Sequence, residues 1–402
     1  MFGSDVIDKK VWHFQLSVNK LYVPDCNSSS TLLTVPKNFT YEYFLKNAVD
    51  LPNTAKMQLF NLGTYLRKTY DAFLGSLLLG DTMEMRTTEF SVSIIAGELI
   101  NAGLWPPVES QIWKEDLLWQ PIPFIYDAAE DDTLLLGTLC PNFEYETNKV
   151  LMEHKLTMAQ TKLLNYLNNE GKVKITNPIE VALLYFSIEN SNELNQRQPD
   201  WLMKVFPSEN MLNLTLTAYD LLSKTIVQKR LNGGSIIKTI IKHSKDKING
   251  ILSSDRKINI YSGDDRNLAG VLKVLKIPFY EIPHVGGALI FELFVEENKY
   301  FIKINYYTGI NNEAIPYTLD GCDLFCPIEK FSELVADILV EDKESPCSSM
   351  MKMTDKENIA SYGASAAVSL TSQTLFIAFS LISYHVIINI LYQYRNSKFI
   401  AT

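Results

Sequence analysis

The sequence predicts an α/β fold: a central, mainly parallel sheet flanked by helices, with an inserted helical subdomain and a C-terminal transmembrane helix. Three observations lead there. Lys257-Ile258-Asn259-Ile260-Tyr261 alternates polar and apolar residues as a strand does, Ser262-Gly263 breaks it, and Leu268, Val271, Leu272 and Leu275 recur at helical spacing. A strand, a tight turn and a helix N-terminus in that order is where α/β proteins build anion sites. The 402 residues are 47% hydrophobic, enough for a large core, and a prior of roughly 100–200 residues per domain admits an α/β unit with a helical insertion. From 358 to 394 there is no Asp, Glu, Lys or Arg, and 366–392 is dominated by Ala, Leu, Ile, Phe and Val. That run exceeds the ~20 residues a helix needs to cross a bilayer.

The elements follow in order. Met1 to Lys20 holds Asp5, Asp8, Lys9 and Lys10, so no apolar leader can be drawn there. Val11-Trp12-His13-Phe14 reads as strand, with His13 a packed or surface histidine. Met83-Glu84-Met85 ahead of Arg86, followed by Ile94, Ile95, Leu99 and Ile100, reads as a second strand end and its helix. Glu130-Asp131-Asp132 lacks the spaced ligands and glycine of a calcium loop and reads as a solvated charge run. Asn232-Gly233-Gly234-Ser235 lacks Walker spacing and reads as a turn ahead of a helix over 236–241. His284 has no cysteine or serine partner at a recognisable spacing and reads as a loop histidine.

The net charge of −9 gives no basic footprint for nucleic acid. Five cysteines form no zinc pattern, since Cys322 and Cys326 have no second cysteine or histidine pair nearby. Asn27, Asn38 and Asn213 open N-x-Ser/Thr sequons and point to a secretory compartment. Arg395 and Lys398 follow the apolar run and mark its cytoplasmic side, so a type I topology is expected, with the globular part extracellular or luminal. The competing reading of the tail is a lipid-anchor signal with Ser361, Gly363, Ala364 and Ser365 upstream.

Several separated blocks resemble the histidine acid phosphatases of the histidine phosphatase superfamily, and most closely their insect venom acid phosphatase-like members. These are Leu51-Pro52-Asn53-Thr54-Ala55-Lys56-Met57 through Leu66-Arg67, Met85-Arg86-Thr87-Thr88-Glu89 through Gly103-Leu104-Trp105-Pro106-Pro107, Trp119-Gln120-Pro121-Ile122-Pro123, Lys229-Arg230-Leu231-Asn232-Gly233-Gly234, Ile290-Phe291-Glu292-Leu293, and Pro316 through Gly321-Cys322-Asp323-Leu324-Phe325-Cys326-Pro327. The resemblance covers roughly 46–347 in the family's order. It implies a divergent segment over 1–45, an α/β domain over 46–345 with a helical insertion near 108–225, a linker over 346–365, the span over 366–392 and a tail over 393–402. It also implies bridges Cys140–Cys347 and Cys322–Cys326, which leaves Cys26 over.

In such enzymes a loop histidine attacks the phosphorus, arginines and a second histidine hold the phosphate, and the acid beside that histidine protonates the leaving group. Carried onto this chain, Asp265 stands at the proton donor's position, Arg86 at a phosphate arginine, Asp264 where the pair's histidine should be, and Asn19 at the nucleophile's position in Phe14 to Asp25. Ser91-Val92 stands where a further arginine is expected. The resemblance thus implies a membrane-anchored pseudophosphatase or binding protein. The alternative is an active acid phosphatase whose N-terminal catalytic segment is missing or wrongly assigned. Expected partners are a phosphomonoester if the chain is active, otherwise an unidentified ligand or protein, together with the membrane; a homodimer is admitted, and no cofactor or metal is expected.

Overall fold

The computed structural model describes residues 13–17, 51–171, 174–193, 200–310 and 313–339. All belong to one compact unit, 1–348; a second unit, 349–402, consists of residues outside those described. The predicted span over 366–392 is therefore outside them, as are Asn19, Asn27, Asn38 and Cys347. Among the described residues no helix is long and apolar enough to cross a membrane.

The sheet is built from β1 (His13–Ser17), β2 (Met83–Thr87), β3 (Ile258–Ser262), β4 (Ala288–Glu296), β5 (Lys299–Tyr307), β6 (Ala314–Tyr317) and β7 (Cys326–Pro327), in the order β2-β3-β1-β4-β5-β6 with β7 also on β5. The expectation of a mainly parallel sheet needs correction. Only β2–β3 and β3–β1 pair in parallel, whereas β4, β5, β6 and β7 pair antiparallel. For β4 and β5 the reason is local: Glu297 and Asn298, both at positive φ, join them in a two-residue turn. So short a connection can only return the chain antiparallel.

Alternation along the strands sends side chains to two helical layers. Met83, Met85, Ile258, Ile260, Ala288 and Ile290 bury against α1 (Asn53–Leu74) and α2 (Ser91–Leu104). Tyr261, Leu289, Phe291 and Leu293 face the other layer, including α7 (Ser235–Ile248) and α8 (Asp265–Val274). Because both faces are covered, every residue of β3 is buried despite its polar-apolar alternation. Its polar members are hydrogen-bonded instead: Asn259 Oδ1 accepts from Arg256, and Ser262 Oγ donates to the Ser93 carbonyl at 2.9 Å.

Between α2 and α7 the chain forms α3 (Pro141–Glu153), α4 (Met158–Gly171), α5 (Pro178–Glu193) and α6 (Glu209–Leu221). Leu163 and Leu167 of α4, Val181 and Leu184 of α5, and Met211 and Leu214 of α6 share an apolar cluster separate from the sheet's. Asn213 is exposed on α6, while Thr215 of its sequon is buried and donates to the Met211 carbonyl at 3.0 Å. The Cys322–Cys326 disulfide is present, and Cys140 is disulfide-bonded as well.

The expected turn at Asn232-Gly233-Gly234-Ser235 is not a turn. The chain stays helical from Ile226–Lys229 through a π-helical Arg230–Gly234 into α7. The glycines serve close packing: a Cβ on Gly233 would stand 2.4 Å from the Gly270 carbonyl oxygen of α8. This contact seats the start of α8, since Asn232 Nδ2 next to it donates to the Arg266 carbonyl at 2.8 Å.

Candidate functional site

β2 and β3 end together, with Arg86 opposite Tyr261 and Thr87 opposite Ser262. Beyond that edge, Asp264 caps α8: its carboxylate accepts from the N–H groups of Arg266 (2.9 Å) and Asn267 (3.1 Å), and the Asn267 side chain accepts from the Asp264 N–H at 3.0 Å. An aspartate is well suited to this place, since it satisfies two orphan N–H groups and its charge complements the helix dipole. Asp265 opens the helix, buried, and accepts from the Tyr219 hydroxyl at 2.5 Å.

Arg266, which sequence reading passed over, is buried next to these acids in the chain and is the principal cation acting on Asp264. Burial lowers its pKa to about 10, with both aspartates opposing the shift, so it stays charged at neutral and acidic pH. Desolvation pushes Asp264 up to about 7 and also raises Asp265. The sequence signal was adjacency alone, an arginine beside two acids.

Arg86 has different company. Its Nη2 pairs with Asp127 Oδ2 and, at 3.4 Å, with Asp132 Oδ1. Asp132 is not the solvated residue its acidic run suggested: its side chain is fully buried, and Oδ1 accepts from Leu134 N at 3.2 Å and Leu135 N at 3.0 Å. A buried turn needed an acceptor and a buried arginine edge needed an anion, and one carboxylate meets both demands. Desolvation nonetheless raises the Asp132 pKa. The two groups are tied together, since Asn267 Nδ2 donates to the Leu135 carbonyl at 2.8 Å. Arg86 and Asp265 thus share one edge of the sheet, but each side chain is engaged by its own partners.

Of the described histidines, His284 comes to this edge of the sheet, four residues before Ala288, which pairs with Ser17 and through it aligns with Ser262. His13 opens β1 opposite Ile258, four residues before Ser17, which lies opposite Ser262; at about 3.3 Å per residue that is roughly 13 Å from the edge. His154 follows α3, and His284 lies in the turn before β4, where its carbonyl accepts from Gly287 N. His243 of α7 bonds the Tyr261 hydroxyl through Nδ1 at 3.0 Å, and burial lowers its pKa. Its charged neighbours Glu84 and Arg256 belong with the earlier half of β2 and β3. The arrangement offers two buried acids able to hold protons and an Arg86 already paired with two carboxylates. No group of three or more His, Cys, Asp or Glu able to hold a metal occurs among the described residues.

Stability should follow the raised carboxylates. Their folded pKa values exceed their unfolded ones, so the folded protein holds protons that the unfolded chain releases. That contribution is full below the unfolded carboxylate values and is lost as pH rises through the folded ones. The urea midpoint is therefore expected to be higher at pH 5 than at pH 8. Asp264→Asn, which keeps a good N-cap, should flatten the profile by on the order of 1–3 kcal/mol across that interval.

The chain matches the family described as the histidine phosphatase superfamily (branch 2) over residues 15–307. Venom acid phosphatase Acph-1 of Apis mellifera is 29% identical over 310 residues, covering 76% of this chain and 80% of that relative. Prostatic acid phosphatase of Homo sapiens is 27% identical over 301 residues, covering 72% and 77% respectively. Among solved structures, the Hafnia alvei phytase in complex with myo-inositol hexakis sulphate superposes with a TM-score of 0.60 at 16% identity, over 84% of this chain and 98% of the phytase. That likeness establishes the shared fold.

Proposed function

The chain belongs to the histidine phosphatase superfamily (branch 2), and from that membership we propose that it is a catalytically degenerate member, a phosphatase-fold protein that binds rather than hydrolyses. One observation carries the proposal: Asp264, which the resemblance aligns with the phosphate-holding histidine, is engaged as the N-cap of α8, beside a second buried carboxylate. A phosphate dianion beside an ionised Asp264 is repelled, on the order of kilocalories, where the family's histidine would attract it. No histidine occurs from residue 14 to residue 153, so the stretch holding Asn19 supplies no imidazole. Asp265 retains the proton donor's position without a nucleophile to serve.

The apolar run 366–392 and the three sequons support an extracellular or luminal globular part on a membrane anchor, with 346–365 as linker and 393–402 as cytoplasmic tail. The names of the venom and lysosomal relatives agree with that side of the membrane. A second reading, an active acid phosphatase whose N-terminal catalytic segment is missing or wrongly assigned in this sequence, is favoured by those same names. Steady-state hydrolysis of an aryl phosphate at acidic pH separates the two. Release at the rate of buffer alone is expected, and turnover that scales with protein concentration would establish the second reading.

A further inference from the structure

We infer that Asp127 is a built-in anion: its carboxylate takes the place on the Arg86 guanidinium that a small oxyanion would take, and so closes this arginine to inorganic phosphate. The inference rests on the reading of this edge as a degenerate phosphatase site. The backbone delivers Asp127 to that place. Ile125, two residues earlier, bridges β2 opposite Arg86; its carbonyl accepts from Thr87 N and its N–H donates to the Met85 carbonyl, both at 2.9 Å. The segment is thereby clamped along the outer edge of β2, and Asp127 Oδ2 lands on Arg86 Nη2.

The two acids on Arg86 differ in kind. Asp132 is fully buried and holds the turn that reaches Leu135, so it is part of the scaffold. The Asp127 side chain is 50% exposed, against 19% for Arg86, so this carboxylate stands on the solvent side of the guanidinium, where an anion would arrive. A tethered carboxylate acts at an effective concentration of about millimolar or more, which competes with phosphate at ordinary concentrations. If displaced without leaving the neighbourhood, it would still repel the incoming dianion.

The test is phosphate binding by the full chain, read by titration calorimetry and by the phosphate-dependent shift in melting temperature. The proteins are the parent, Asp127→Asn, Asp127→Ala, and Asp127→Asn combined with Arg86→Gln. Asp127 is exposed enough for both single variants to fold, and circular dichroism checks this. The expected result is at least about tenfold tighter phosphate binding in each single variant than in the parent, abolished by the added Arg86→Gln. Equal binding by parent and single variants, or a gain that survives Arg86→Gln, would overturn the inference. Turnover is not part of this readout, so hydrolysis by the parent would defeat the binding-protein reading while leaving the role of Asp127 to be decided by these titrations.

Discussion

An Asp264→His protein is expected to show no phosphatase activity and to unfold more readily than its parent. The substitution restores the residue type expected at the phosphate, but not a nucleophile, and loss of a covalent nucleophile costs roughly 10⁶ in rate where it has been measured in another hydrolase. Arg86 also stays paired with Asp127 and Asp132. Stability falls because the Arg266 and Asn267 N–H groups lose the carboxylate that caps them, which costs about 1 kcal/mol. A protonated imidazole at a helix N-terminus adds a smaller penalty. Steady-state hydrolysis and urea unfolding check the two halves separately. Activity approaching that of an ordinary acid phosphatase would mean that a nucleophile is already present.

Gly233→Ala should lower stability by about 3 kcal/mol, the upper range for overpacking a tight contact. The added methyl would meet backbone on every side, 2.4 Å from the Gly270 oxygen, 2.5 Å from its carbonyl carbon and 2.7 Å from the Val271 nitrogen. None of these atoms can swing away as a flexible side chain would. Helix α8 must shift, and the Asn232 bond to the Arg266 carbonyl shifts with it. The matching control is Gly80→Ala, where nothing lies within 4 Å and little change is expected. A denaturant midpoint for Gly233→Ala equal to that of the control would show that the crossing of the two helices is loose.

What could be read from the sequence was local and periodic. The strand and helix around Asp264 were legible because apolar residues recur at the right spacing; β3 proved to be Ile258–Ser262, and Leu268, Val271, Leu272 and Leu275 are all buried. Arg86 at the end of a strand was legible for the same reason. The rest depended on contacts between distant segments. Acidic neighbours at 130–132 look solvated until Asp132 is seen to fold under Arg86 and accept two backbone N–H groups. The pair Gly233-Gly234 signals a turn as readily as a close helix crossing, and only Gly270 on the other helix decides between them. The contact of Asp127 with Arg86 has no sequence signal, since it follows from Ile125 lying alongside β2. The β4–β5 hairpin hung on Glu297 and Asn298, an ordinary polar pair in sequence whose positive φ values make the turn.

The most direct test of the central claim is capture of a phosphoenzyme. The purified protein is mixed with a radiolabelled aryl phosphate at acidic pH and quenched under alkaline conditions that preserve phosphohistidine, and the label retained on the protein is counted and mapped. The predicted result is no covalent label above that of the same protein unfolded before mixing. Stoichiometric label on a histidine, lost in Arg86→Ala, would contradict the account and identify the chain as a working phosphatase.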